Sequence, residues 1–123
     1  MTDHWPLLEE SFRWYGPRDR VRLSDIRQTG ATGVYTALHH IPYGEAWPIE
    51  DIARRKREIE ESGLRWTAVE AVSVSEAIKS GGPERDRHLE NYCETVKRLG
   101  AANPPRFSAA MTRAISLAAR VFV

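Results

Sequence analysis

The sequence predicts an α/β fold: three successive βα units sharing a parallel sheet, followed by a divergent C-terminal helix. Three observations carry this. Short apolar or aromatic runs alternate with longer amphipathic runs from Ser11 to about Gly100. Gly16-Pro17, Thr29-Gly30, Ser62-Gly63 and Gly81-Gly82-Pro83 punctuate them. The pattern then stops after Ala102, where Asn103-Pro104-Pro105 stands in the place of a fourth strand. Strands that alternate with helices run parallel through right-handed crossovers.

Residues 1–10 read as an irregular lead-in. The aromatic run Ser11-Phe12-Arg13-Trp14-Tyr15 suits a short strand, stopped by Gly16-Pro17. Ser24 is the expected N-cap of a short helix to Gln28, with Asp25 near its positive end. Residues 33–38 have little polar alternation, as expected of a strand covered on both faces. His39-His40-Ile41-Pro42 opens a loop at its C-terminal end. Pro48 suits a first helical turn. Ile49, Ile52, Ala53 and Ile59 then give an apolar face, and the charged run from Arg54 to Glu61 reads as its solvated side. Residues 64–74 are the third strand, with Glu70 as their one acid. Residues 75–78 suit one helical turn. Residues 84–99 suit a helix with Leu89, Tyr92, Cys93, Val96 and Leu99 on one face. Residues 108–123 read as a basic amphipathic helix, so the chain divides into residues 1–102 and a tail, 103–123.

The totals narrow the class. With 123 residues, 41% hydrophobic and 28% charged, the chain can bury one modest core. No run of about 18 apolar residues predicts a membrane span. The first residues lack a basic-then-apolar leader, and Cys93 is the only cysteine, which together predict a reducing, cytoplasmic setting. Charge is uneven. Up to Glu94 there are 17 acidic and 13 basic side chains; beyond it come five basic ones and no acid. Such a shift fits an anion-seeking tail or a last segment foreign to the design of the first.

His39 and His40 stand at the C-terminal end of the second strand, where α/β proteins keep their sites, and Arg13 and Glu70 lie within the first and third. Arg13 offers a planar fork for a carboxylate. Glu70 in an apolar strand calls for a partner, Arg13 or Arg65, or for a site. His39 and His40 are adjacent, and on extended backbone they point opposite ways, so both do not readily bind one ion. Trp14 and Tyr15 read as core or lining.

Several runs together resemble the mannonate dehydratase family of bacterial hexuronate (glucuronate) catabolism. They are Phe12-Arg13-Trp14-Tyr15-Gly16-Pro17; Asp25-Ile26-Arg27-Gln28 with Gly30-Ala31-Thr32-Gly33; and Thr36-Ala37-Leu38-His39-His40-Ile41-Pro42 with Gly44-Glu45 and Trp47. Val69-Glu70 and Glu90-Asn91-Tyr92 add to them. The resemblance covers about residues 12–102. It implies the N-terminal part of a TIM-type (β/α) barrel like that of xylose isomerase. It implies a hydro-lyase that removes water from D-mannonate to give 2-dehydro-3-deoxy-D-gluconate, using Fe²⁺ or Mn²⁺. Arg13, His39, His40 and Glu70 become the expected substrate-binding residues. The family's metal ligands come from later strands, so no metal ligand is expected in this chain, and Cys93, mid-helix, is not one.

A half barrel implies a truncated or frame-shifted product, inactive alone, that forms homo-oligomers or aggregates through its open sheet edges. No nucleic-acid or membrane partner is expected under this reading. Two alternatives stand beside it. One is a non-catalytic remnant whose basic tail meets a membrane surface or an acidic partner. The other is a fragment of a related sugar isomerase or epimerase.

Overall fold

The computed structural model describes residues 9–102. The expected tail, residues 103–123, lies outside them. The elements are β1 (Ser11–Arg13), α1 (Leu23–Gln28), β2 (Gly33–Thr36), α2 (Ile49–Glu61), β3 (Arg65–Val69), α3 (Glu76–Ser80) and α4 (Arg85–Ala102). The strands form one parallel sheet in the order β1-β2-β3, as the alternation of strands and helices predicts.

The strands are shorter than the apolar runs that announce them. Trp14, Ala37 and Leu38 lie past the strand ends yet stay buried, because they cap the core beyond the sheet's C-terminal edge. That core joins Trp14, Ile26, Val34, Ile52, Ile59, Trp66 and Leu99, among others. Ile26, Ile52 and Ile59 are fully enclosed, and each such side chain contributes about 2 kcal/mol by leaving water. Helix α2 packs on β3 and on α4, and α3 packs on α4.

Four local expectations are corrected. The N-cap of α1 is Arg22, not Ser24; the Asp25 carboxylate accepts the Arg22 backbone N–H at 2.9 Å, and Leu23 begins the helix with its side chain in the core. Pro48 is the N-cap of α2 rather than its first residue. On that helix Ile49 and Ala53 are exposed, and Arg55, assigned by its charge to the solvated side, is buried between Ile52 and Ile59. On α4, Cys93 is exposed, and Thr95 takes the buried position beside Leu99.

One irregularity shapes the sheet. The β2–β3 register runs from Val34↔Trp66 to Tyr35↔Ala68, so Thr67 is an extra residue in β3. Its hydroxyl donates to the Val34 carbonyl (3.1 Å) and therefore accepts from Ser11, 2.8 Å away on β1. The two side chains meet over Gly33. A Cβ there would lie 2.3 Å from Thr67 Cγ2 and 2.5 Å from Ser11 Oγ. Glycine in the central strand is what lets the outer strands touch across it.

Candidate functional site

The three strands present their C-terminal ends side by side. The ladder runs one step past them: the Trp14 N–H donates to Tyr35 (3.1 Å) and the Glu70 N–H to Thr36 (2.9 Å). Arg13 ends β1, His39 follows β2 by three residues, and Glu70 follows β3 directly. These bonds fix the backbone beneath Arg13 and Glu70 to the same rigid sheet.

Arg13, His39 and Glu70 line one cavity of about 330 Å³. Arg13 Nη2 pairs with Glu70 Oε1, and this bond holds the guanidinium pKa above its ordinary value. His39 Nε2 lies 3.6 Å from Glu70 Oε2. That second oxygen is buried and has no hydrogen-bond partner among the described residues. Of the two partners foreseen for Glu70, the fold selects Arg13; Arg65 pairs with Glu9 instead.

His40 goes elsewhere. Its Nε2 lies 3.6 Å from Asp51 on α2, and it lines a second, more open cavity with Arg18, Arg54 and Arg55. The adjacent histidines diverge, but from a turn rather than from extended backbone: the Ile41 N–H donates to the Leu38 carbonyl (3.3 Å) across them. Tyr15, grouped with Trp14 in the sequence reading, parts from it. Trp14 is buried, with its indole N–H donating to the Val21 carbonyl at 3.2 Å, whereas Tyr15 is 52% exposed. The Tyr15 ring forms the wall shared by both cavities. The Arg13 guanidinium carbon sits 4.3 Å from its centroid and the His39 ring 5.8 Å away, so Tyr15 steadies both polar groups.

The far wall comes from α4, which no strand-end rule points to. His88 and Tyr92 line the cavity, and burial pushes the Tyr92 phenol above its ordinary pKa. The same helix clamps the loop between β2 and α2. Asn91 donates to the Gly44 carbonyl (2.9 Å), Thr95 accepts the Trp47 N–H (3.0 Å), and Arg98 donates to the Trp47 carbonyl (2.8 Å). Gly44, at φ +89°, lies against the His88 ring, which a Cβ would approach to 2.6 Å. His88 Nδ1 is in turn held 2.7 Å from the buried Ser75 hydroxyl. In the sequence only the polar spacing along α4 hints at this clamp, and charge spacing reads first as a solvated face.

The chain matches the family described as D-mannonate dehydratase (UxuA) over residues 8–103. The chain belongs to the D-mannonate dehydratase family. It is similar to the mannonate dehydratase of Chromohalobacter salexigens, 52% identical over 94 residues, which is 76% of this chain and 24% of that protein. It is 48% identical to the mannonate dehydratase of Rhizobium meliloti over 96 residues, 77% of this chain and 24% of that one. Among solved structures, the mannonate dehydratase of Streptococcus suis serotype 2 superposes with a TM-score of 0.73 at 44% identity, covering 77% of this chain and 28% of that one. The chain thus spans about a quarter of the length of the curated relatives it matches.

The divalent metal that the family resemblance implies finds no home in the described portion. No three His, Cys, Asp or Glu side chains converge there. His39 meets Glu70 as its one carboxylate, His40 meets Asp51, and Cys93 stands exposed on α4. A stable transition-metal site needs three or four such donors around one point. These residues do not fit it. No helix of the described residues is long and apolar enough to cross a membrane.

Proposed function

We propose that this chain carries the substrate-side wall of a D-mannonate dehydratase, as the first three βα units of a TIM-type barrel. The observation that carries the reading is the meeting of Arg13, His39 and Glu70, from three strand ends, in one cavity of about 330 Å³. Family membership and the likeness to the Streptococcus suis enzyme support it. The cavity volume falls at the lower end of the range that small-molecule sites occupy.

The reaction takes a proton from C2 and hydroxide from C3 of a sugar acid. The C2 proton is weakly acidic beside a carboxylate, so the site has to stabilise the charge that grows as it leaves. Arg13 carries the positive charge for the substrate carboxylate. Glu70 takes one edge of its fork and leaves the remaining N–H donors for a ligand. His39, 42% exposed at the cavity rim, can accept or donate a proton at a substrate hydroxyl or carbon. Fe²⁺ or Mn²⁺ would have to be held by residues other than the described ones, so no step is assigned to them.

Titrating D-mannonate into the ¹⁵N-labelled 123-residue chain tests the reading. Saturable shifts at Arg13 and His39 are expected, with apparent affinity falling about tenfold in Arg13→Gln, equivalent to about 1.4 kcal/mol. Absence of any shift up to saturating sugar acid would overturn it. The chain alone is expected to release no 2-keto product.

A further inference from the structure

The geometry points to Glu70 as a positioning residue that fixes the tautomer of His39, with Nε2 protonated toward the carboxylate and Nδ1 left as the acceptor facing the ligand. This rests on the reading of the cavity as a sugar-acid site, but its core is a statement about three side chains. Glu70 has two oxygens in different situations. Oε1 is taken by Arg13. Oε2 is buried, lacks a hydrogen bond, and lies 3.6 Å from His39 Nε2. A buried carboxylate oxygen demands a donor, and His39 is the group within reach that can supply one. A small rotation of the imidazole closes the gap. In a neutral ring only one nitrogen carries hydrogen, so a donor at Nε2 makes Nδ1 an acceptor. Carboxylates that orient catalytic or ligating histidines act in this way.

Arg13 completes the device. It has donors and no acceptor, so it holds Oε1 and keeps Oε2 turned toward His39. Tyr15, tilted against the imidazole and beneath the guanidinium, limits how far either can swing. A sugar acid in the cavity then meets a cation at Arg13 and a lone pair at His39. Glu70, occupied on both oxygens, makes no contact with the ligand itself.

The chemistry makes a sharp test in Glu70→Gln. The amide oxygen must face Arg13, because Arg13 only donates. The amide NH₂ must then face His39 Nε2 and donate to it. The substitution therefore inverts the tautomer. Two-bond ¹⁵N–¹H correlation spectra of the full chain, taken where the imidazoles are neutral and assigned by loss of signals in His39→Gln, read this directly. The wild type is expected to show His39 protonated at Nε2, and Glu70→Gln to show it protonated at Nδ1. A wild-type ring protonated at Nδ1, or averaging between tautomers, overturns the proposal, and that measurement needs no variant to fold. An Nε2–H ring that persists in a folded Glu70→Gln chain overturns it as well. In the same sample D-mannonate should perturb the His39 Nδ1 resonance. With the Nε2–H tautomer found and no response to D-mannonate, the functional reading fails while the role of Glu70 toward His39 stands.

Discussion

Replacing Arg55 by methionine tests whether the sheet end beneath the site is held by a buried guanidinium. Arg55 is 6% exposed. Its Nη1 donates to the Ala37 carbonyl at 2.9 Å, its guanidinium carbon lies 5.2 Å from the Trp14 ring centroid, and Nε is 3.4 Å from Glu58. Burial lowers its pKa, the mark of a charge held where water is scarce. Methionine keeps much of the aliphatic volume but leaves the Ala37 carbonyl without its partner, at a cost of about 1–3 kcal/mol. Losing the cation over the indole adds about 1 kcal/mol. The sum is about 2–4 kcal/mol. At about 4 °C per kcal/mol for a chain of this size, Tm should fall by about 8–16 °C. Arg57→Met, an exposed position two residues on, is the control and should stay within about 0.5 kcal/mol. Thermal and urea unfolding followed by far-ultraviolet circular dichroism measure both. If Arg55→Met melts like Arg57→Met, the guanidinium is dispensable and the reasoning fails. Lysine should not rescue Arg55, because a point ammonium cannot reach the carbonyl and cover the indole together.

Gly33→Ala should cost about 1–3 kcal/mol, because its Cβ would fall 2.3 Å from Thr67 Cγ2; Thr67→Ala in the same chain should recover part of the loss in urea unfolding, and additive costs would refute the clash. Acid should weaken the loop after β1. Asp19 accepts the backbone N–H groups of Tyr15 and Val21, each at 2.9 Å, which lowers its carboxyl pKa below the ordinary 3.8. The folded chain therefore favours the charged form, so this stabilisation is complete above the unfolded value near 3.8 and disappears as pH falls through the depressed folded value. The stability difference between wild type and Asp19→Asn should accordingly shrink below pH 3.8, and a gap that stays constant down to complete protonation would refute it.

Much of the fold was legible because hydrophobic period and turn chemistry act locally. The alternation of apolar runs and amphipathic helices needs only neighbouring residues to be read, and the parallel sheet follows from it. The short helix that opens at Ser75 was legible for the same reason, whereas Glu70 was read inside a strand that in fact ends at Val69. Arg55 was not. A charged residue in the row Arg54-Arg55-Lys56-Arg57 reads as solvated, and only the docking of α2 over Trp14 and the Ala37 carbonyl buries one member of that row. Cys93 failed in the opposite sense. Spacing placed it on the apolar face, but α4 turns Thr95 inward, because the loop backbone at Trp47 needs an acceptor there.

The sequence by itself determined the order of elements, the family, and the residue types at the strand ends. Tertiary structure decided which histidine joins Glu70 and which turns to Asp51. It decided that Arg13, 57 residues from Glu70 in sequence, is the partner that carboxylate takes. It also decided that α4 closes the cavity. The physical reason is common to all three. Strand registers and helix docking are long-range and collective, and they set distances between groups that no local pattern in the chain relates.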